Sequence, residues 1–321
     1  MYVEDNKEEE LADLAVGFNP IPNQPYIVND MLFDATVALN IDECDVFHGW
    51  TGHSLYTMRE LGKDTVKIVN LFSAHIEDQA KILNPEMKML YGEVQPMVSE
   101  MNIEKVTREL EMADIIHVPS EFIFRTLQSR GLGDKTVINP FGVNLDQFKM
   151  SKADRDGKFR VIFVGSNWLR KGLIYLLEAW KKLNLKNAEL IVAGVREPVM
   201  ELPNVTYGWY SHDELVDLYN SSNVFCLPAL EDGCPLVTYE AMACNLPVII
   251  SHNTGTAQMV RHGHNGFVVP VKDVEAIMDS IKKIYDEPEY GVYLGKNARK
   301  TVEAYTWENY ETRYMDIIKN I

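Results

Sequence analysis

Between residues 159 and 269 the chain alternates short β-branched runs with longer amphipathic stretches, and this alternation restricts the fold more than any other feature. The runs are 159–164 (FRVIFV), 188–193 (AELIVA), 223–227 (NVFCL), 247–250 (PVII) and 266–269 (GFVV). They are too short for helices and rich enough in Val and Ile for strands buried on both faces. Helical patterns fill 172–183 and 212–220, the second opening with Ser211-His212-Asp213-Glu214, a capping-box signature. Strands alternating with helices at this spacing predict an α/β fold with a parallel sheet covered by helices. The first half repeats the theme more weakly, with strands expected at 45–48, 65–71, 114–118 and 135–138. The polar segment 151–158 (SKADRDGK) precedes a fresh strand and is read as the boundary between two lobes. The expected division is 1–152, 153–304 and a C-terminal helix, 305–321, packing back on the first lobe.

A chain of 321 residues, 46% hydrophobic and 24% charged, is long enough for two cores. No apolar run approaches the roughly 18 residues of a membrane-spanning helix. The opening MYVEDNKEEELADL is acidic and lacks an apolar signal core, so a cytoplasmic location is expected, with peripheral membrane attachment left open. The four cysteines (Cys44, Cys226, Cys234, Cys244) lack CxxC spacing and read as reduced thiols rather than a disulfide frame or zinc site. The net charge of −16, concentrated in the first 150 residues, is ill suited to nucleic-acid backbones or anionic lipid.

In an open parallel sheet, ligands bind beyond the carboxyl ends of the strands. The polar residues that follow each predicted strand are Gly165, Ser166, Arg170 and Lys171, then Gly194, then Glu231, Asp232 and Gly233, then Asn253, Thr254 and Gly255. Gly165 to Gly172 form a loop leading to a helix that starts near Lys171. A helix N-terminus with two cations suits a diphosphate, while an ordinary loop with solvated cations fits the same spacing. Glu240 lies mid-helix, eight residues after Asp232 and beside Ala-Met-Ala. A carboxylate there can accept both hydroxyls of a ribose, or either acid can simply complement the helix dipole. The same helix is expected to end at Asn245 in the left-handed position, with Pro247 preventing its continuation. In the first half His75 follows a strand and can face the cleft between lobes, whereas His48, His53 and the Asn139-Pro-Phe-Gly142 turn read more simply as structural.

The run Asp232-Gly-Cys-Pro-Leu-Val-Thr-Tyr-Glu240-Ala-Met-Ala resembles the acid-x7-acid signature of retaining glycosyltransferase family 4, of GT-B fold. FVG with RKGLIYLLEAW (163–180), IVAG (191–194) and the NTG to HNGFVVP run (253–270) agree with it, as do DVFHGW (45–50), SAHIEDQ (73–79), ADIIHVPSEF (113–122), INPFGVNLDQF (138–148) and TWENY (306–310). The resemblance spans roughly residues 41–310. It implies two Rossmann-like lobes with parallel sheets facing across a cleft, the second binding a nucleotide-diphosphate sugar of UDP or GDP type. Glu240 would hold the ribose, Asp232 would contact the sugar, Lys171 would neutralise the diphosphate, and Leu236 with nearby amides would line the pocket. Gly165, Ser166, Arg170, Gly194, Gly233 and Thr254 would complete the donor site, and His75 would lie close to the transferred sugar. No metal and no cofactor are implied. The acceptor would be the hydroxyl of a glycan or lipid-linked glycan, with anomeric configuration retained. The sequence departs from the family pattern at Ser166, where Arg is frequent, and in the first lobe, which reads as shortened by about two β-α steps. The short lobe leaves open a fragment, a partner chain or oligomer that completes the lobe, and a non-catalytic sugar-nucleotide-binding subunit. A UDP-sugar epimerase of GT-B fold is a further alternative.

Overall fold

The computed structural model describes residues 25–320 except 93, 95 and 152–155. The acidic opening, the NPIPNQP run up to residue 24 and half of the expected 151–158 boundary therefore lie outside the described residues. The first lobe opens with α1 (Pro25–Asn40), followed by β1 (Val46–Trp50), α2 (Leu55–Glu60), β2 (Val66–Asn70), α3 (Ile76–Tyr91), α4 (Glu100–Met112), β3 (Ile115–Val118), α5 (Glu121–Gln128) and β4 (Thr136–Ile138). Its four strands form a parallel sheet in chain order.

The second lobe runs β5 (Phe159–Val164), α6 (Leu173–Leu183), β6 (Ala188–Ala193), β7 (Val205–Gly208), α7 (His212–Ser221), β8 (Val224–Leu227), α8 (Leu236–Ala243), β9 (Val248–Ser251) and β10 (Gly266–Val269). The helices α9 (Val274–Asp286), α10 (Pro288–Val302) and α11 (Trp307–Lys319) follow. All six strands are parallel, in the order β10-β9-β8-β5-β6-β7. The strand order turns around at β5, where β6 lies on one side and β8 on the other. That is the switch point at which a crevice opens beyond the carboxyl ends of such a sheet.

Local chemistry explains the elements. The strands β8 and β9 are buried at every position, as a sheet covered on both faces requires. Ser211 caps α7 in a full capping box with Glu214. Asn245 takes φ +62° just past α8 and turns the chain into β9. The half-buried strand β7 was not expected from the sequence.

Two apolar clusters form the cores. The larger surrounds the second sheet and takes in Leu83 of α3, so this helix starts at the first sheet and ends against the second lobe. Glu86, also on α3 and fully buried, accepts hydrogen bonds from Tyr175 Oη of α6 and Lys272 Nζ beyond β10. The chain returns to the first sheet through α11, where Arg313 Nε donates to Asn139 Oδ1 at 2.7 Å and Tyr314 Oη lies 2.7 Å from His48 Nδ1. Gly142, in the turn read from sequence as structural, packs against the backbone leading into α11: a Cβ there would lie 2.3 Å from the carbonyl carbon of Thr306.

Candidate functional site

The loop from Gly165 to Gly172 joins β5 to α6 and sits at the switch point. Gly172 caps α6 at φ +69° with no side chain over the helix amides, and backbone carbonyls take two of the first-turn donors, the Leu173 N–H going to Trp168 and the Tyr175 N–H to Gly172. A Cβ on Gly172 would lie 2.0 Å from the carbonyl oxygen of Pro228, so only glycine lets the two backbones approach this closely. The Lys171 side chain folds over Gly165, where a Cβ would meet its Cδ at 2.0 Å. Gly194, at φ +94° after β6, lies against the backbone of Gly165. Gly165, Gly194 and Lys171 are thus gathered at one point beyond the sheet.

The acidic pair after β8 faces this loop. Lys171 Nζ lies 2.8 Å from Asp232 Oδ2, and Arg170 lies 3.2 Å from Glu231 Oε2 and 3.6 Å from Asp232 Oδ2. Glu231 is fully buried and also accepts the Ala74 N–H at 2.7 Å, so this acid ties the second lobe to the residue before His75. Burial pushes its pKa up, and Arg170 with the Ala74 amide opposes that. Arg170 is therefore engaged by carboxylates, and Lys171 is the cation placed over the glycine loop. Gly233 completes the seam: a Cβ there would lie 2.1 Å from the Phe72 carbonyl oxygen, and its own carbonyl accepts Ser120 Oγ at 2.7 Å.

Glu240 stands mid-way along α8, half-buried. Tyr219 of α7 donates its hydroxyl to Glu240 Oε2 at 3.0 Å, and among the described residues no donor bonds Oε1. Burial raises the Glu240 pKa, while Tyr219, His212 and Lys171 favour the ionised form. Asp232, 2.8 Å from Lys171 Nζ, lies four residues ahead of Leu236, the first residue of α8, so the loop before α6 meets the segment that leads into α8. Leu236 is the first residue of α8 and partly exposed, with no side chain capping the helix behind it.

His75 caps α3, its Nδ1 accepting the Glu77 N–H at 3.3 Å. Nδ1 is thereby the unprotonated nitrogen, and Nε2 carries the proton. Burial is the main cause that lowers its pKa to about 4, so the ring is neutral near pH 7.

Two predicted residues stand differently from the rest. Ser166 is exposed and lines a shallow cavity of about 370 Å³ with Met87, Tyr91 and Trp168. The Thr254 hydroxyl is buried and lies 3.0 Å from Ser251 Oγ. The sequence reading missed Tyr219, because a tyrosine on the inner face of a helix carries no mark beyond that of a core residue. A cavity of about 480 Å³ lined by Lys158, Lys186, Asn223 and Pro247 belongs to the opposite, amino edge of the same sheet.

Residues 146–301 match the family described as Glycosyl transferases group 1. The matched span coincides with the second lobe. An uncharacterized glycosyltransferase of Methanocaldococcus jannaschii is 29% identical over 202 residues, covering 57% of this chain and 52% of that protein. The capsular polysaccharide biosynthesis glycosyltransferase CapM of Staphylococcus aureus is 28% identical over 204 residues, 56% of this chain and 53% of its own. The matches span about half the length of these relatives. Among solved structures, sucrose-phosphate synthase of Thermosynechococcus elongatus superposes with a TM-score of 0.76 at 23% identity, covering 94% of this chain and 80% of that one. HepE of Anabaena in complex with UDP-glucose gives 0.69 at 15% identity, over 91% and 82%. These likenesses show the fold: two parallel-sheet lobes of GT-B type.

Proposed function

We propose that the chain is a glycosyltransferase that takes a sugar from a nucleotide-diphosphate donor and transfers it, with retention, to an acceptor hydroxyl of a glycan or lipid-linked glycan. The observation that carries this reading is the meeting of Lys171, just ahead of α6, with Asp232, 2.8 Å away in the segment that leads into α8 and Glu240. The diphosphate rests at the amino end of α6, where the helix dipole is positive, and on Lys171, which exchanges Asp232 for a phosphate oxygen. Glu240 accepts the ribose hydroxyls. As the bond from the anomeric carbon to the diphosphate breaks, negative charge grows on the leaving group where the cation and the helix dipole already stand, and no divalent ion is called on. His75 Nε2–H donates to a hydroxyl of the transferred sugar.

The glycosyltransferases CapM and the M. jannaschii protein, and the UDP-glucose complex of HepE, support a sugar-nucleotide donor. The test is calorimetry with UDP and GDP, followed by product analysis with the matching nucleotide sugars. Wild-type protein is expected to release nucleoside diphosphate from its donor, and Glu240→Ala to lose both binding and release by about 100-fold. Tight binding with no release under any acceptor would replace transfer by a donor-binding subunit. Interconversion of free UDP-sugars would replace it by an epimerase.

A further inference from the structure

Tyr219 is fully buried on the inner face of α7, and its orientation does not depend on Glu240. Its ring sits edge-on between Phe148 and Phe225, with centroids 6.3 and 6.4 Å away. A ring wedged in this way holds its hydroxyl at a fixed point, whereas a glutamate on three rotatable bonds goes where a partner draws it. The contact joins a fixed donor to one oxygen of a mobile acid at 3.0 Å and leaves the other oxygen without a donor among the described residues.

We infer that Tyr219 is a positioning residue for recognition of the nucleotide ribose: its hydroxyl holds Glu240 Oε2 so that Oε1 faces the diol and the site selects ribonucleotides over 2′-deoxyribonucleotides. The inference rests on the donor reading above. Two further observations agree with it. The Tyr219 phenol is held in its protonated form by burial, so across the working pH range it acts as a donor. The charged and titratable groups facing Glu240 are Tyr219 and His212 from α7, Lys171 from the loop before α6, and Cys244 beyond its own helix. Of these, Tyr219 makes the direct hydrogen bond. Without that bond the carboxyl group is freer to rotate, and its protonated form gains ground, since burial already favours it.

The experiment compares wild type and Tyr219→Phe by calorimetry with UDP and 2′-deoxy-UDP, and with GDP and 2′-deoxy-GDP, across pH 5 to 8. In Tyr219→Phe, ribonucleotide affinity is expected to fall about tenfold, the size of one hydrogen bond to a charged group. Deoxynucleotide affinity changes far less, so the ratio between them shrinks. The pH below which ribonucleotide binding fades moves upward. A merely structural tyrosine would weaken both nucleotides by the same factor and leave that pH unmoved, and this result overturns the inference. Should Tyr219→Phe not fold, Phe148→Leu loosens the seat of the ring without touching Glu240, and a smaller loss of the same ratio is expected; an unchanged ratio overturns the inference. Wild-type protein that binds no ribonucleoside diphosphate, or binds ribo and deoxy forms alike, sinks the ribose assignment itself. Discrimination equal in wild type and Tyr219→Phe sinks only the role of Tyr219.

Discussion

Glu109 on α4 and Glu240 on α8 are both carboxylates drawn into their lobes, and burial raises the pKa of each. Their oxygens are used differently. Glu109 accepts the backbone N–H groups of Gly52, Ser54 and Leu55, closing off the start of α2. Beside it, the fully buried Asp34 of α1 takes the N–H groups of Tyr56 and Thr57 and the Thr57 hydroxyl. Lys105 lies 3.8 Å from Asp34 and donates to the Gly52 carbonyl at 2.7 Å. Every one of these bonds is made within the chain, and together they hold one loop. Glu240 has one oxygen held by Tyr219 and the other without a chain donor, at the mouth of a sheet switch point. A shifted pKa alone does not separate the two cases; the count of satisfied lone pairs does.

Substitutions that treat the two acids alike test this contrast. The largest effect is expected at Glu109. Glu109→Ala strands three backbone donors and is expected to cost about 3–5 kcal/mol, read as a lower urea midpoint at unchanged slope. Protein that remains folded should bind UDP or GDP as wild type does; equal stability in Glu109→Ala and wild type would erase the contrast. Next in size is Lys171→Ala, expected to weaken a nucleoside diphosphate by about 10–100-fold while leaving the free nucleoside nearly unaffected. Equal weakening of both would remove Lys171 from the diphosphate.

The smallest effect lies in the first sheet. There His48 Nε2, the Asn70 amide and His117 Nδ1 form a chain across three strands with links of 2.6 Å. His117 is fully buried, and burial lowers its pKa from 6.5 to about 4. Between these values the unfolded chain binds the additional proton. Stability is therefore complete above pH 6.5 and declines as pH falls towards 4, by about 1 kcal/mol over the first unit. His117→Asn keeps a donor for Asn70 without titrating, and should roughly halve the slope of denaturation midpoints between pH 6.5 and 5, His75 with its similarly lowered pKa supplying the rest. A slope unchanged by that substitution would show that His117 is not what makes the first lobe acid-sensitive.

The same contrast marks what can be read from the sequence. Strands β5, β6 and β10 coincide with the apolar runs FRVIFV, AELIVA and GFVV, because a strand covered on both faces writes its burial as consecutive Val and Ile. Strand β7, at the sheet edge, mixes Thr and Tyr with half-exposed positions, and its pattern is lost among loops. Gly165, Lys171 and Glu240 were legible because each breaks a local rule: a glycine at a strand end, cations ahead of a helix, an acid amid Ala and Met. Glu86, Glu109 and Tyr219 break none. Their burial is compensated by partners far along the chain, 89 residues away for Glu86 and Tyr175, and no local window contains both members of such a pair.

The helix α3, with Pro85 inside it, is attached at two places. At its start the backbone N–H of His75 donates to Thr126 Oγ1, and further along Glu86 is gripped by a tyrosine and a lysine of the second lobe. Glu231 holds the Ala74 N–H just ahead of that start, so the segment carrying His75 is bound to the second lobe at two points, and the imidazole is placed by the lobe opposite its own.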